Sequence, residues 1–98
     1  MPEITVDVSD TGTAYEFDVA VKEPGSQTRH TVTLQKTDCQ RLAGGKASPR
    51  ELVTESFRFL LEREPKESIL RAFDLTVISR YFPEYEREIA RRLGPSDR

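Results

Sequence analysis

Two patterns predict an α+β fold, a three-stranded antiparallel β-meander followed by a helical C-terminal half packed on one sheet face. Apolar and polar residues alternate in three short runs before residue 35, which is the period of half-buried strands. From residue 48 onward, helix starts, apolar stripes and proline stops follow one another. A third observation sets the scale: 98 residues, 36% hydrophobic and 33% charged, suffice for one modest core under a heavily charged surface. The predicted domain covers residues 1–93 and leaves a polar tail at 94–98.

Residues 4–8 (ITVDV) and 15–21 (YEFDVAV) alternate around turn chemistry at 10–13 (DTGT) and predict a hairpin with one wet face. Ile4, Val6 and Val8 should face the core with Tyr15, Phe17, Val19 and Val21. Thr5, Asp7, Glu16 and Asp18 should then face outward, and a slip of one residue would bury those acids. A second turn signal at 23–26 (EPGS) precedes residues 29–34 (RHTVTL), the third predicted antiparallel strand.

Thr37 and Asp38 are placed to cap a short helix through Leu42, with Cys39, Leu42 and Ala43 on its apolar side and Gly44-Gly45 as its stop. Ser48, Pro49 and Glu51 form a capping box with proline at the first helical position. The helix they open carries Leu52, Val53, Ser56, Phe57, Leu60 and Leu61 on one stripe, with Glu51, Glu55, Arg58 and Glu62 opposite, and Pro65 ends it. Residues 66–73 read as a short helical turn. Asp74 caps a helix containing Leu75, Val77, Ile78, Tyr81 and Phe82, Pro83 breaks it, and helical spacing resumes over 84–93 through Tyr85, Ile89 and Leu93.

Charge and composition exclude several function classes. Fifteen basic and seventeen acidic residues give a formal charge of -2, so the whole chain is not drawn to phosphate backbones or anionic lipid. The lone Cys39 has no disulfide partner, and no stretch is apolar for long enough to span a bilayer. A cytoplasmic protein without cofactor or membrane association is expected. His30 is the only histidine, too few ligands for structural zinc.

The residues with chemical potential are few. Cys39 with His30 offers the parts of a small thiol enzyme, against the reading that a thiol beside a helix start fills the core. Glu62, Glu64, Glu84, Glu86 and Glu88 offer paired carboxylates, but they lie among arginines and are read as ion-paired faces. Gly44-Gly45-Lys46 lacks the first glycine of a phosphate-binding loop and is read as a helix stop. No catalytic constellation emerges, and a non-enzymatic role is expected. The cluster Arg80, Tyr81, Phe82, Tyr85 and Arg87 carries the residue types that dominate interface hot spots. It predicts a partner surface, unless the aromatics lid the open end of the meander.

From Ser48 onward, and most closely in residues 56–70 (SFRFLLEREPKESIL), 73–75 (FDL) and 78–85 (ISRYFPEY), the chain resembles a family of small bacterial proteins of uncharacterised function. That resemblance implies an N-terminal meander and a helical C-terminal half, and it implies no site. A looser likeness is to ribbon-helix-helix regulators and antitoxins, in which strands of two subunits pair and enter the major groove. It implies that Arg29, Thr31 and Thr33 face DNA bases, with residues 38–42 and 49–63 as the two helices. The expected function is therefore a non-catalytic protein-interaction or regulatory module whose protein partner the sequence does not name. DNA binding is the alternative and thiol chemistry the third. A homodimer could form by pairing a free sheet edge, residues 4–8 or 29–34.

Overall fold

The computed structural model describes residues 2–94, so most of the predicted polar tail lies outside the described residues. Strands β1 (Glu3–Asp10), β2 (Ala14–Glu23) and β3 (Ser26–Gln35) form the predicted antiparallel meander. The register is the one that the apolar pattern demands: Ile4 lies opposite Val21, Val6 opposite Val19 and Val8 opposite Phe17. Asp10 closes the first turn by accepting the Gly12 amide at 2.8 Å. In the second turn Pro24 and Gly25 join the paired residues Glu23 and Ser26, and Gly25 supplies the positive φ of 83° that a side chain would resist.

The sheet is not the three-stranded one expected. A fourth strand, β4 (Ala72–Asp74), pairs in parallel with β3, giving a mixed sheet in the order β1-β2-β3-β4. Residues 66–73 are accordingly not a helical turn throughout. A 3-10 turn spans only Lys66–Ser68, and the chain then extends. The cause is the far side of β3, whose backbone groups need partners. The Thr31 amide donates to the Arg71 carbonyl at 2.8 Å, and His30 Nδ1 donates to the Leu70 carbonyl at 2.8 Å.

Helices also begin before the C-terminal half. α1 (Lys36–Ala43) follows β3 directly, and its N-cap is Gln35 rather than Thr37 or Asp38. No side chain caps it. The Lys36 amide instead donates to the Thr13 carbonyl in the first hairpin turn, at 3.0 Å. Gly44, with φ of 58°, ends it in the left-handed conformation. α2 (Pro49–Leu61) has the complete capping box: Ser48 Oγ accepts the Glu51 amide at 3.1 Å and Glu51 accepts the Ser48 amide at 2.8 Å.

Leu52, Val53, Phe57 and Leu60 of α2 are buried as predicted, and burying each such side chain stabilises the fold by roughly 1.5–3 kcal/mol. Phe59 is buried as well, although it lies off the predicted stripe, because α2 is covered on a second side. After Asp74 caps a 3-10 turn at Leu75–Val77, α3 (Ile78–Tyr81) runs to the break at Pro83, and α4 (Tyr85–Arg92) packs on Phe59. The Phe59 ring meets Tyr85 edge-on at 5.4 Å and Phe82 at 5.8 Å, while the Arg63 guanidinium stacks 3.6 Å from its centre. No helix among the described residues is long and apolar enough to cross a membrane.

Candidate functional site

Pro65 stops α2, and the chain must turn before β4. The turn is clamped by Lys66, whose ammonium donates to Glu23 and Ser26 of the β2–β3 hairpin at 2.6 Å and to Glu67 at 2.7 Å. Glu23 and Glu67 hold that ammonium charged and raise its pKa, and the side chain is buried. An extended chain sends successive side chains to opposite sides, so beyond the turn Ile69 is buried and Leu70 is 48% exposed. α3 then places Tyr81 outward at 66% exposure. Leu70 and Tyr81 are the exposed large hydrophobic residues among those described.

Between these elements lies an apolar groove of about 230 Å³, lined by Leu60, Ile69, Leu70, Phe73, Val77, Ile78, Tyr81 and Phe82 with Ser68 and Glu64. Its volume falls below the roughly 300–1,000 Å³ of small-molecule and cofactor sites. It suits one or two inserted side chains.

Glu64 is the charged residue lining this groove. Its amide donates to the Leu60 carbonyl at 2.9 Å, which fixes it one turn beyond that wall residue. Of the five glutamates that the sequence singles out, the other four are held by arginines. Glu62 accepts from Arg92 at 2.6 Å, Glu84 from Arg63 at 3.2 Å and Glu86 from Arg41 at 2.8 Å. Glu88 is bound by Arg91 and by Arg92, which hold its carboxyl down at about 2. Glu64 departs from the predicted ion-paired face: burial alone acts on its carboxyl and pushes its pKa up.

The predicted partner cluster divides. Tyr81 and Phe82 line the groove, and Arg80 and Arg87 are exposed. Tyr85 does not belong to the surface, because it is fully buried under α2. Its hydroxyl donates to Ser56 Oγ at 2.6 Å, and Ser56 in turn donates to the Leu52 carbonyl at 2.7 Å. Burial pushes the Tyr85 phenol well above its ordinary range.

Arg29, Thr31 and Thr33 are exposed on the outer sheet face, but β3 has β2 on one side and β4 on the other. It is not a free edge, whereas β1 is. There Arg50 of α2 donates to the Val6 carbonyl at 3.0 Å and so occupies part of the edge. Arg29 itself pairs with Asp18 at 3.1 Å, Glu16 is exposed on the adjacent β2, and Asp7 is exposed one strand further on β1, opposite Asp18. Carboxylates there oppose a phosphate backbone.

Cys39 is buried, and burial raises its thiol pKa, which disfavours the nucleophilic thiolate. His30 is engaged through both ring nitrogens, Nδ1 donating to the Leu70 carbonyl and Nε2 hydrogen-bonded to the Thr28 hydroxyl at 2.9 Å. It serves the segment that carries Leu70 and not the thiol. Among the described residues no group of three or more His, Cys, Asp or Glu is placed to hold a metal ion.

Most of the groove escaped sequence reasoning, since Ile69, Leu70 and Phe73 fall in the segment expected to turn helically. The available signal was the pair Ile69-Leu70 after Pro65, because two adjacent apolar residues in extended chain cannot both face one core. Compared with family models, with curated proteins and with solved structures, the chain matches none of them.

Proposed function

We propose that this protein is a non-catalytic protein-interaction module that binds its partner through the groove between the end of α2, the segment after Pro65 and α3. The observation that carries this reading is the placement of Leu70 and Tyr81, both exposed, at a groove otherwise lined by buried and half-buried apolar side chains. Elsewhere the surface solves its exposure with charge, as in the arginine-glutamate pairs that α4 makes through Arg91, Arg92 and Glu88. Apolar groups left in water around a concavity are the usual mark of a contact surface. Arg80, next to Tyr81 and exposed, supplies the polar rim that such surfaces carry.

The test is selection of short peptides from a random displayed library on the immobilised protein, repeated on a Leu70→Glu, Tyr81→Glu variant whose circular dichroism matches the parent. Both side chains are exposed, so the variant should keep the fold. Peptides enriched on the parent and lost on the variant support the reading. Equal enrichment on both, or none on the parent in a protein that also shows no groove-dependent self-association, would overturn it.

A further inference from the structure

We infer that the occupant of the groove is a basic-apolar peptide segment, with an apolar side chain inserted between Leu70 and Tyr81 and an adjacent lysine or arginine paired with Glu64. The inference deepens the proposed function and rests on the groove being the contact surface. Three observations specify the chemistry. The lining is apolar and holds room for one or two side chains. Its charged member is an acid, Glu64, while the neighbouring acids Glu62 and Glu84 already have arginines. Three of the lining residues are aromatic, Phe73, Tyr81 and Phe82, and ring faces attract cations.

The isolation of Glu64 gives the argument its direction. Its neighbours in sequence show that arginines are at hand: Arg63 turns away to Phe59 and Glu84, leaving Glu64 at the groove. Burial penalises the ionised carboxyl, and among the described residues no cation is paired with it. A partner ammonium or guanidinium would supply that compensation, and a charge-assisted bond in a partly dry groove is stronger than the same bond on an open surface. An acidic or purely apolar segment would leave the carboxylate desolvated further and unpaired, which selects against it.

Peptides recovered from the library selection provide the test, measured as synthetic peptides by calorimetry. Enriched sequences should place lysine or arginine within a few residues of a large apolar side chain. Glu64→Gln should weaken their binding about tenfold, a factor equal to about 1.4 kcal/mol. Replacing the peptide cation by glutamine should cost the same on the parent and nothing further on Glu64→Gln. Groove-dependent peptides that lack a cation, or that bind Glu64→Gln as tightly as the parent, would overturn the inference while leaving the groove reading intact. An absence of peptides, with self-association that Leu70→Glu abolishes, would overturn it in favour of a second copy. An absence of both would overturn the groove reading as well.

Discussion

The hydroxyl pair of Tyr85 and Ser56 is a sharp test of how α4 closes the core. Tyr85 is fully buried, its hydroxyl donates to Ser56 Oγ at 2.6 Å, and Ser56 passes its own proton to the Leu52 carbonyl at 2.7 Å. Tyr85→Phe removes one donor and leaves an acceptor lone pair on Ser56 empty, which should cost about 1 kcal/mol. Ser56→Ala leaves the Tyr85 hydroxyl buried with nothing to receive its proton, at about 1–3 kcal/mol. The serine variant should therefore be the worse of the two, and the double variant should lose less than the sum because no orphan group remains. For a domain of this size each kcal/mol moves Tm by about 4–8 °C. Urea and thermal unfolding followed by circular dichroism resolve these differences. An additive double variant, or Tyr85→Phe more damaging than Ser56→Ala, would refute the directed chain of hydrogen bonds.

Three further outcomes follow from the same packing. Phe57→Ala should cost about 3–5 kcal/mol, since the ring is fully buried against His30 and Phe73, and denaturant titration would show a loss near the limit of what a small domain tolerates. Glu64→Gln should raise Tm at neutral pH, within about 0.5 kcal/mol. Its folded pKa is raised, so the stability contribution of the protonated acid is lost as pH rises, and the advantage of glutamine should vanish in scans below the ordinary carboxylate range. Acid should destabilise the parent: Asp10, Glu62, Glu67, Glu84 and Glu88 all have depressed pKa values, so their contribution is present above the ordinary carboxylate range and lost as pH falls. Tm measured at low salt should hold from neutrality to about pH 5 and decline toward about pH 2, where Glu88 titrates. A flat profile through that window would contradict the ion-pair assignments around α4.

Local signals were legible where one residue sufficed to explain one structural event. Ser48 and Glu51 marked the start of α2, Asp74 capped the turn into α3, and Pro65 and Pro83 ended helices. The meander and the facing of its side chains followed from alternation, because a slip of one residue would take Asp7 and Asp18 out of water. Events that depend on a distant element left no such trace. β4 is three residues long, too short to alternate, and exists because β3 offers an unpaired side. Phe59 lies off the main stripe of α2, and its burial depends on α4 arriving from the other direction. The same second layer takes Tyr85 out of the predicted surface.

The candidate site divided in the same way. Composition picked out Tyr81 and Phe82, since aromatics beside a proline break exceed what a thin helix can bury on one side, and both line the groove. Leu70 and Glu64 were not legible, because the sequence scatters arginines among the glutamates of the region and does not say which pairs form. Arg63 had both Glu62 and Glu64 adjacent, yet it reaches Glu84 at 3.2 Å and Glu62 at 3.6 Å and stacks on Phe59, which leaves Glu64 aside. That choice is a property of α2 meeting α4.

The proposed working surface of this protein is the concavity bounded by Leu70 and Tyr81. Backbone-amide chemical-shift mapping during titration with a library-selected peptide tests it most directly. Shifts should concentrate at Leu60, Glu64, Ile69, Leu70, Phe73 and Ile78 through Phe82, with the outer sheet face silent. Shifts centred on Arg29, Thr31 and Thr33, with the groove unchanged, would contradict it.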